Sequence, residues 1–206
     1  MARRNIKFGV IGLGLMGKEF GSAVGRWYHL VSEGPVPEIV GVCDTNPASH
    51  AWFTENFPSV TLATTDYHEL LASKEIEAVY CAVPHNLHEQ LYVDILKAGK
   101  HLMGEKPFGI DQKANAAILA EAARHPELVV RCSSEFPFFP ACQRLIAWAR
   151  EGRFGRILEV RAGFHHSSDM DVTKPINWKR MVEVNGEYGC MGDLGIHTQH
   201  IPFRSG

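Results

Sequence analysis

Runs of lysine or arginine are missing from this chain, and with a formal net charge of −2 it offers no electrostatic footprint for a nucleic-acid backbone. Nor does any apolar stretch approach the roughly 18 residues that a membrane span needs. The start Met1-Ala2-Arg3-Arg4 carries the two arginines of an export leader, yet Lys7 interrupts the apolar stretch behind it and no small-residue cleavage site follows. Repeats and low-complexity tracts are also absent. The five cysteines, Cys43, Cys81, Cys132, Cys142 and Cys190, are odd in number and lack Cys-x-x-Cys spacing. They read as reduced core thiols of a cytoplasmic protein, three of them at the ends of predicted buried strands. His165, His166, Asp169 and Asp171 share a polar loop but have no regular ligand spacing, so no metal site is assigned to them. What remains is an ordinary globular composition, 45% hydrophobic and 21% charged over 206 residues, enough for one large domain or one and a half.

Near the start, the apolar run Ile6 to Ile11 leads directly into Gly12-Leu13-Gly14-Leu15-Met16-Gly17. A Gly-x-Gly-x-x-Gly between a strand and a helix is where a nucleotide-binding βαβ unit begins. Gly12 permits the tight turn, Gly14 lets backbone approach a pyrophosphate, and Gly17 lets the helix pack closely on the strand. The helix start then offers free N–H groups and a favourable dipole to the phosphates. Phe20, Ala23, Val24 and Trp27 recur at helical spacing after the glycines. A second strand, Glu38 to Cys43, ends in Asp44, a carboxylate suited to the adenosine ribose hydroxyls and repelled by a 2′-phosphate, so NAD is favoured over NADP. Its separation from the glycines is longer than usual because the Gly34–Pro37 region extends the loop. The plainer reading of Asp44 is a solvated carboxylate at a strand end.

The alternation continues. The patterns predict a helix near Ala48–Glu55, a short strand at Thr61–Ala63, a helix capped by Asp66, and a buried strand from Ala78 to Val83. Then come a helix through Leu87, Leu91, Ile95 and Ala98 stopped by Gly99, and the strand His101–Gly104. An Asp111-capped helix with Ala114, Ile118, Leu119 and Ala122 on one side leads to a sixth strand, Leu128–Cys132. Strands and helices in this rhythm imply an α/β fold of Rossmann type, a doubly wound parallel sheet over residues 1–133 whose ligand lies beyond the carboxyl ends of the strands. From 134 to 206 the character changes to an incomplete α+β domain. It has a helix with Cys142, Leu145, Ile146 and Ala149 in register, one extended segment from Arg156 to Phe164, and polar sequence from Ser167 to Gly192. One strand is not a stable sheet. Either the chain is a piece of a longer one or a partner supplies further strands.

Two groups could do chemistry. Glu105-Lys106-Pro107 places a lysine at the carboxyl edge of the sheet, where it can donate to a substrate oxygen. A solvated loop lysine is the plainer reading of the same residue. Pro107 can stiffen that turn through a cis bond. Asp193 and His197 stand four apart, on one face if the segment is helical, and a carboxylate beside an imidazole can orient it for proton transfer. A helix-start aspartate and a surface histidine are the bland alternative.

Taken together, the Gly12–Gly17 turn, Pro84-His85-Asn86-Leu87-His88, Glu105-Lys106-Pro107, Trp178-Lys179-Arg180 and Gly192-Asp193-Leu194-Gly195-Ile196-His197 resemble, in kind and order, the Gfo/Idh/MocA oxidoreductases. The resemblance implies Lys106, Asp193 and His197 as catalytic residues. It implies Gly12, Gly14, Leu15, Met16, Gly17, Asp44, Pro84, His88, Glu105 and Lys106 around the dinucleotide, with Pro84 and His88 bordering it and Glu105 near the nicotinamide ribose. It departs from the family pattern at His200, where many relatives carry an aspartate. Relatives also continue into an open antiparallel sheet that walls the substrate pocket and forms a dimer interface, so a homo-oligomer is expected if that sheet is completed. The implied activity is NAD(P)-dependent hydride transfer to or from a secondary alcohol carbon of a sugar, inositol or related polyol. The alternative is a dinucleotide-binding module or sensor without turnover.

Overall fold

The computed structural model describes residues 3–31, 33–167 and 169–205. Met1 and Ala2 of the leader-like start, Ser168 of the polar loop and Gly206 of the second expected domain lie outside the described residues. Two compact units divide the chain, Met1–Cys132 and Ser133–Gly206.

In the first unit, β1 (Asn5–Ile11), β2 (Val36–Cys43), β3 (Leu62–Thr64), β4 (Ala78–Cys81), β5 (His101–Glu105) and β6 (Val130–Ser133, whose last residue opens the second unit) form one sheet in the order β3-β2-β1-β4-β5-β6. β1 runs parallel to β2 and β4, β2 to β3, and β4 to β5. The crossovers carry α1 (Leu15–Arg26), α2 (His50–Asn56), α3 (Tyr67–Ala72), α4 (His88–Lys97) and α5 (Gln112–Arg124). Because successive strand residues point to opposite faces, the sheet builds a core on each side. Val10, Ile39, Val42 and Tyr80 face Val24 of α1 and Phe53 of α2. Ile11, Val79, Cys81 and Leu102 face Leu70 of α3, Ile95 of α4 and Ile118 of α5. This is the doubly wound sheet that the pattern predicts, and the order reverses between β1 and β4, which opens a crevice at their carboxyl ends.

Several local expectations shift for physical reasons. α1 begins at Leu15, five residues before the apolar periodicity, because Gly14 itself serves as its N-cap. Asp66 and Asp111 do cap α3 and α5, accepting from His68 N at 2.9 Å and Ala114 N at 2.7 Å. Of the apolar residues expected to share one helix side, Ala23 in α1 and Leu119 in α5 are exposed. All five cysteines are free, but only Cys43 and Cys81 are buried; Cys132 lies exposed on the edge strand β6, and Cys190 is exposed as well. No helix among the described residues is long and apolar enough to cross a membrane.

The second unit holds a 3₁₀ turn (Phe136–Phe138), α6 (Pro140–Arg150), a long loop, a 3₁₀ turn (Trp178–Arg180), α7 (Val182–Asn185), a π-helical turn (Met191–Gly195) and α8 (Ile196–Ser205), with α6 against α8. The extended segment expected at Arg156–Phe164 forms no strand. A strand exists only in a ladder, and none pairs with it among the described residues.

Candidate functional site

All the candidate cofactor residues of the first unit sit past the carboxyl ends of four neighbouring strands: Asp44 after β2, the glycine turn after β1, Pro84 and His88 after β4, and Glu105–Lys106 at β5. Space assigns each glycine its task. Gly12 has φ +88°, and a Cβ there would stand 2.3 Å from Ala82 O. At Gly17 a Cβ would stand 2.3 Å from Gly12 O, so its absence lets α1 close onto the turn. Gly14 differs, since a Cβ there would meet nothing within 4 Å. Its open face lies at the start of α1, where no side chain caps the helix and no acidic residue occupies the first turn. Lys18 N to Gly14 O, 3.1 Å, begins the ladder, so the N–H groups of Leu15, Met16 and Gly17 have no partner within it and suit a ligand. Bare backbone and unused donors at a helix N-terminus fit a pyrophosphate. Leu15, 75% exposed, and Met16 flank the turn with their side chains turned outward.

Asp44 braces the same turn. Its Oδ2 accepts from Leu13 N at 2.8 Å and its Oδ1 from Asn46 N at 2.8 Å. Each carboxylate oxygen keeps a second acceptor position, which is what a ribose diol needs. Beside it Cys43 is buried, and desolvation aided by the Asp44 charge pushes its thiol up to about 12. It is a core residue and not a nucleophile.

On the other side of the crevice, the turn that carries Lys106 is held at three points. Tyr92 donates to Glu105 O at 2.8 Å, and its ring occupies the space that a Cβ on Gly104 would need. Tyr80 donates to Glu105 Oε1 at 2.6 Å, while Lys106 N donates to Glu105 Oε2 at 3.2 Å. His88 lies between two carbonyls, with Nδ1 2.7 Å from Pro107 O and Nε2 3.0 Å from Val83 O. Burial holds the His88 pKa below its ordinary value; the carbonyls of Pro107 and Val83 pull the other way and Lys106 adds to the lowering. Its imidazole is fully buried and ties the turn in place through these two carbonyls. The Lys106–Pro107 bond is cis. Pro84 is exposed at the end of β4, and Lys106 is half-buried.

In the second unit, Asp193 is 1% exposed and sits in the π-helical turn, with His197 in the first turn of α8. The sequence expects Asp193 to orient His197. The structure shows two cations on Asp193: Arg180 donates to Oδ2 at 3.1 Å, and Lys179 Nζ lies 3.5 Å from Oδ1. Asn177 Oδ1 accepts from Lys179 N at 3.0 Å and so starts the 3₁₀ turn that delivers both cations. Burial opposes the Arg180 charge, but hydrogen bonds to Asp169 and Asp193 outweigh it and its pKa is raised. The His197 ring packs against Phe136 and Phe164, at centroid distances of 4.6 and 5.5 Å. His200 meets Ser134 Oγ at 2.8 Å. In the polar loop, Asp169 pairs with Arg180 and Asp171 accepts from Thr173, and the described residues hold no cluster able to ligate a metal.

Sequence reasoning assigned no role to Tyr80, Tyr92 or Arg180. A signal was present for the first two, since a tyrosine within a buried apolar element needs a partner for its hydroxyl.

The sequence model of the Gfo/Idh/MocA oxidoreductases, described as an oxidoreductase family with an NAD-binding Rossmann fold, matches residues 6–133. Levoglucosan dehydrogenase of Pseudarthrobacter phenanthrenivorans is 25% identical over 198 residues, 95% of this chain and 50% of that protein. Glucose-6-phosphate 3-dehydrogenase of Bacillus subtilis is 24% identical over 191 residues, 93% of this chain and 51% of that one. Among solved structures, levoglucosan dehydrogenase in complex with NADH and levoglucosan superposes with a TM-score of 0.90 at 24% identity, covering 98% of this chain and 54% of that chain. The chain thus spans about half the length of these relatives. With the glycine turn, the strand order and the family match in agreement, this chain belongs to the Gfo/Idh/MocA oxidoreductases, and its cofactor class is NAD.

Proposed function

We propose that this chain carries the NAD-binding half, and part of the substrate half, of a dehydrogenase that oxidises a secondary alcohol carbon of a sugar, inositol or related polyol. The observation that carries the reading is the open backbone at Gly14, set at an uncapped helix start and flanked along the strand ends by Asp44 and Glu105. NAD, when bound, supplies the hydride acceptor. The protein then has to hold the alcohol oxygen and remove its proton. Lys106 donates to that oxygen and stabilises its developing negative charge. His197 accepts the hydroxyl proton, with Asp193, itself held by Arg180 and Lys179, as its orienting carboxylate. The sugar and polyol dehydrogenases among the relatives support this substrate class.

The test is NADH formation across a panel of sugars and polyols, followed at 340 nm. On the substrate that responds, His197→Ala and Lys106→Ala each lower turnover by about 100-fold or more, while NADH affinity changes less than about threefold. Full activity in either variant removes that residue from its role. Tight NADH binding with no turnover on any member of the panel would favour the binding-module alternative.

A further inference from the structure

Glu105 is a buried carboxylate, 7% exposed, at the ligand-side end of β5. The donors that hold it are neutral: the Tyr80 hydroxyl at 2.6 Å on Oε1 and the Lys106 peptide N–H at 3.2 Å on Oε2. Each oxygen therefore spends one acceptor position on the protein and keeps another. Tyr80 is fixed in its turn. Its ring stacks on Phe20 of α1, with centroids 4.3 Å apart and planes 11° from parallel, and its hydroxyl lies 3.4 Å from Met16 O in the glycine turn. A hydroxyl has one proton, and the short contact to the carboxylate takes it. One tyrosine thus stands between the phosphate-binding turn and the carboxylate of β5.

The order of the strands fits what the resemblance implies for that carboxylate, a place near the nicotinamide ribose. Across β2, β1, β4 and β5, the ends carry Asp44, then the open glycine turn, then Pro84, then Glu105. Adjacent strands are about 4.8 Å apart, so Glu105 lies roughly 10 Å from the turn on the side opposite Asp44. A dinucleotide is a pyrophosphate with a ribose on each side. Two carboxylates flanking one phosphate turn match two vicinal diols.

We propose that Tyr80 is a positioning residue that aims Glu105 at the vicinal diol of the second ribose, the one beyond the pyrophosphate from adenosine. The inference rests on the NAD-binding reading above, including the place the resemblance gives Glu105, and adds to it the residue that fixes that carboxylate. Without the phenol, the carboxylate loses the bond that sets its rotamer, and its free acceptor positions no longer converge on one diol.

The experiment compares three ligands on the 206-residue chain by calorimetry: NADH, ADP-ribose, which keeps the second ribose and lacks nicotinamide, and ADP, which ends at the pyrophosphate. Tyr80→Phe keeps the stack on Phe20 and deletes the hydroxyl. Expected is a loss of about tenfold for NADH and for ADP-ribose, with ADP within about twofold of the unmodified chain. Glu105→Gln shows the same pattern, and the double variant is no weaker than Glu105→Gln alone, because the two residues act as one unit. An equal loss for all three ligands would make Tyr80 a general support of the fold, and a loss for NADH alone would move the contact to the nicotinamide. Either result overturns the proposal, as does no loss at all. If Tyr80→Phe does not fold, Glu105→Gln carries the same comparison, with loss confined to the two riboside ligands expected and an even loss fatal. An unmodified chain that binds none of the three sinks the NAD reading itself, a result separate from a uniform effect of the variants.

Discussion

At the residue scale, His88 shows how one buried imidazole can hold a turn. Its ring is fully buried between Pro107 O and Val83 O, and burial depresses its pKa. The sign follows from linkage. Below about pH 6.5 the unfolded chain takes up a proton that the folded ring resists, so stability present above that pH declines as pH falls toward the folded pKa. In His88→Asn the folded chain loses about 2 kcal/mol from the cut carbonyl contacts and the smaller side chain, yet this part of the acid slope disappears. Urea midpoints of both proteins at pH 8.0 and pH 5.5 measure it. If the midpoint of the variant fell between these pH values as steeply as that of the unmodified chain, the imidazole would not be the group that titrates.

Element by element, the glycine turn separates folding from binding. Gly17→Ala drives a methyl against Gly12 O and forces α1 off β1, at a cost of about 3 kcal/mol. Gly14→Ala meets empty space, at φ −70° and ψ −154°, where an alanine is unstrained, so it costs about 1 kcal/mol or less. Its methyl stands over the face meant for the pyrophosphate, and NADH binding falls by about tenfold or more. Thermal melts and calorimetry on the two variants should show opposite patterns; two variants alike in both readouts would void the assignment of the open face to a ligand. This division of labour was legible in the Gly12–Gly17 spacing, as was the sheet, because buried parallel strands and amphipathic crossovers leave periodic signals. The Tyr80–Glu105 bond was not. It joins residues 25 apart on β4 and β5, and only the register of those strands brings them together. Arg180 on Asp193 was hidden for a related reason: the two stand 13 residues apart, one in the 3₁₀ turn at Trp178–Arg180 and the other in the π-helical turn at Met191–Gly195.

At the scale of the whole molecule, the apolar core is unevenly divided. Both buried clusters belong to the first unit, whereas the buried apolar residues among the described ones of the second are Pro137 and Ile146. Ile157, Leu158 and Val160, whose pattern suits a strand, stay exposed because no ladder receives them. Hydrophobic burial is the main favourable term in folding, so the second unit has far less to set against its chain entropy. Calorimetric melting should therefore show two transitions, the second unit unfolding first. A ligand held wholly by the first unit stabilises only the later one. NADH at 100 times its dissociation constant adds about 2.7 kcal/mol there, a rise of roughly 10 °C for a unit of this size, and leaves the earlier transition within about 1 °C. A single transition that moves as a whole would mean that the two units fold as one body, and an earlier transition that rises with the later one would place part of the NADH contact on the second unit.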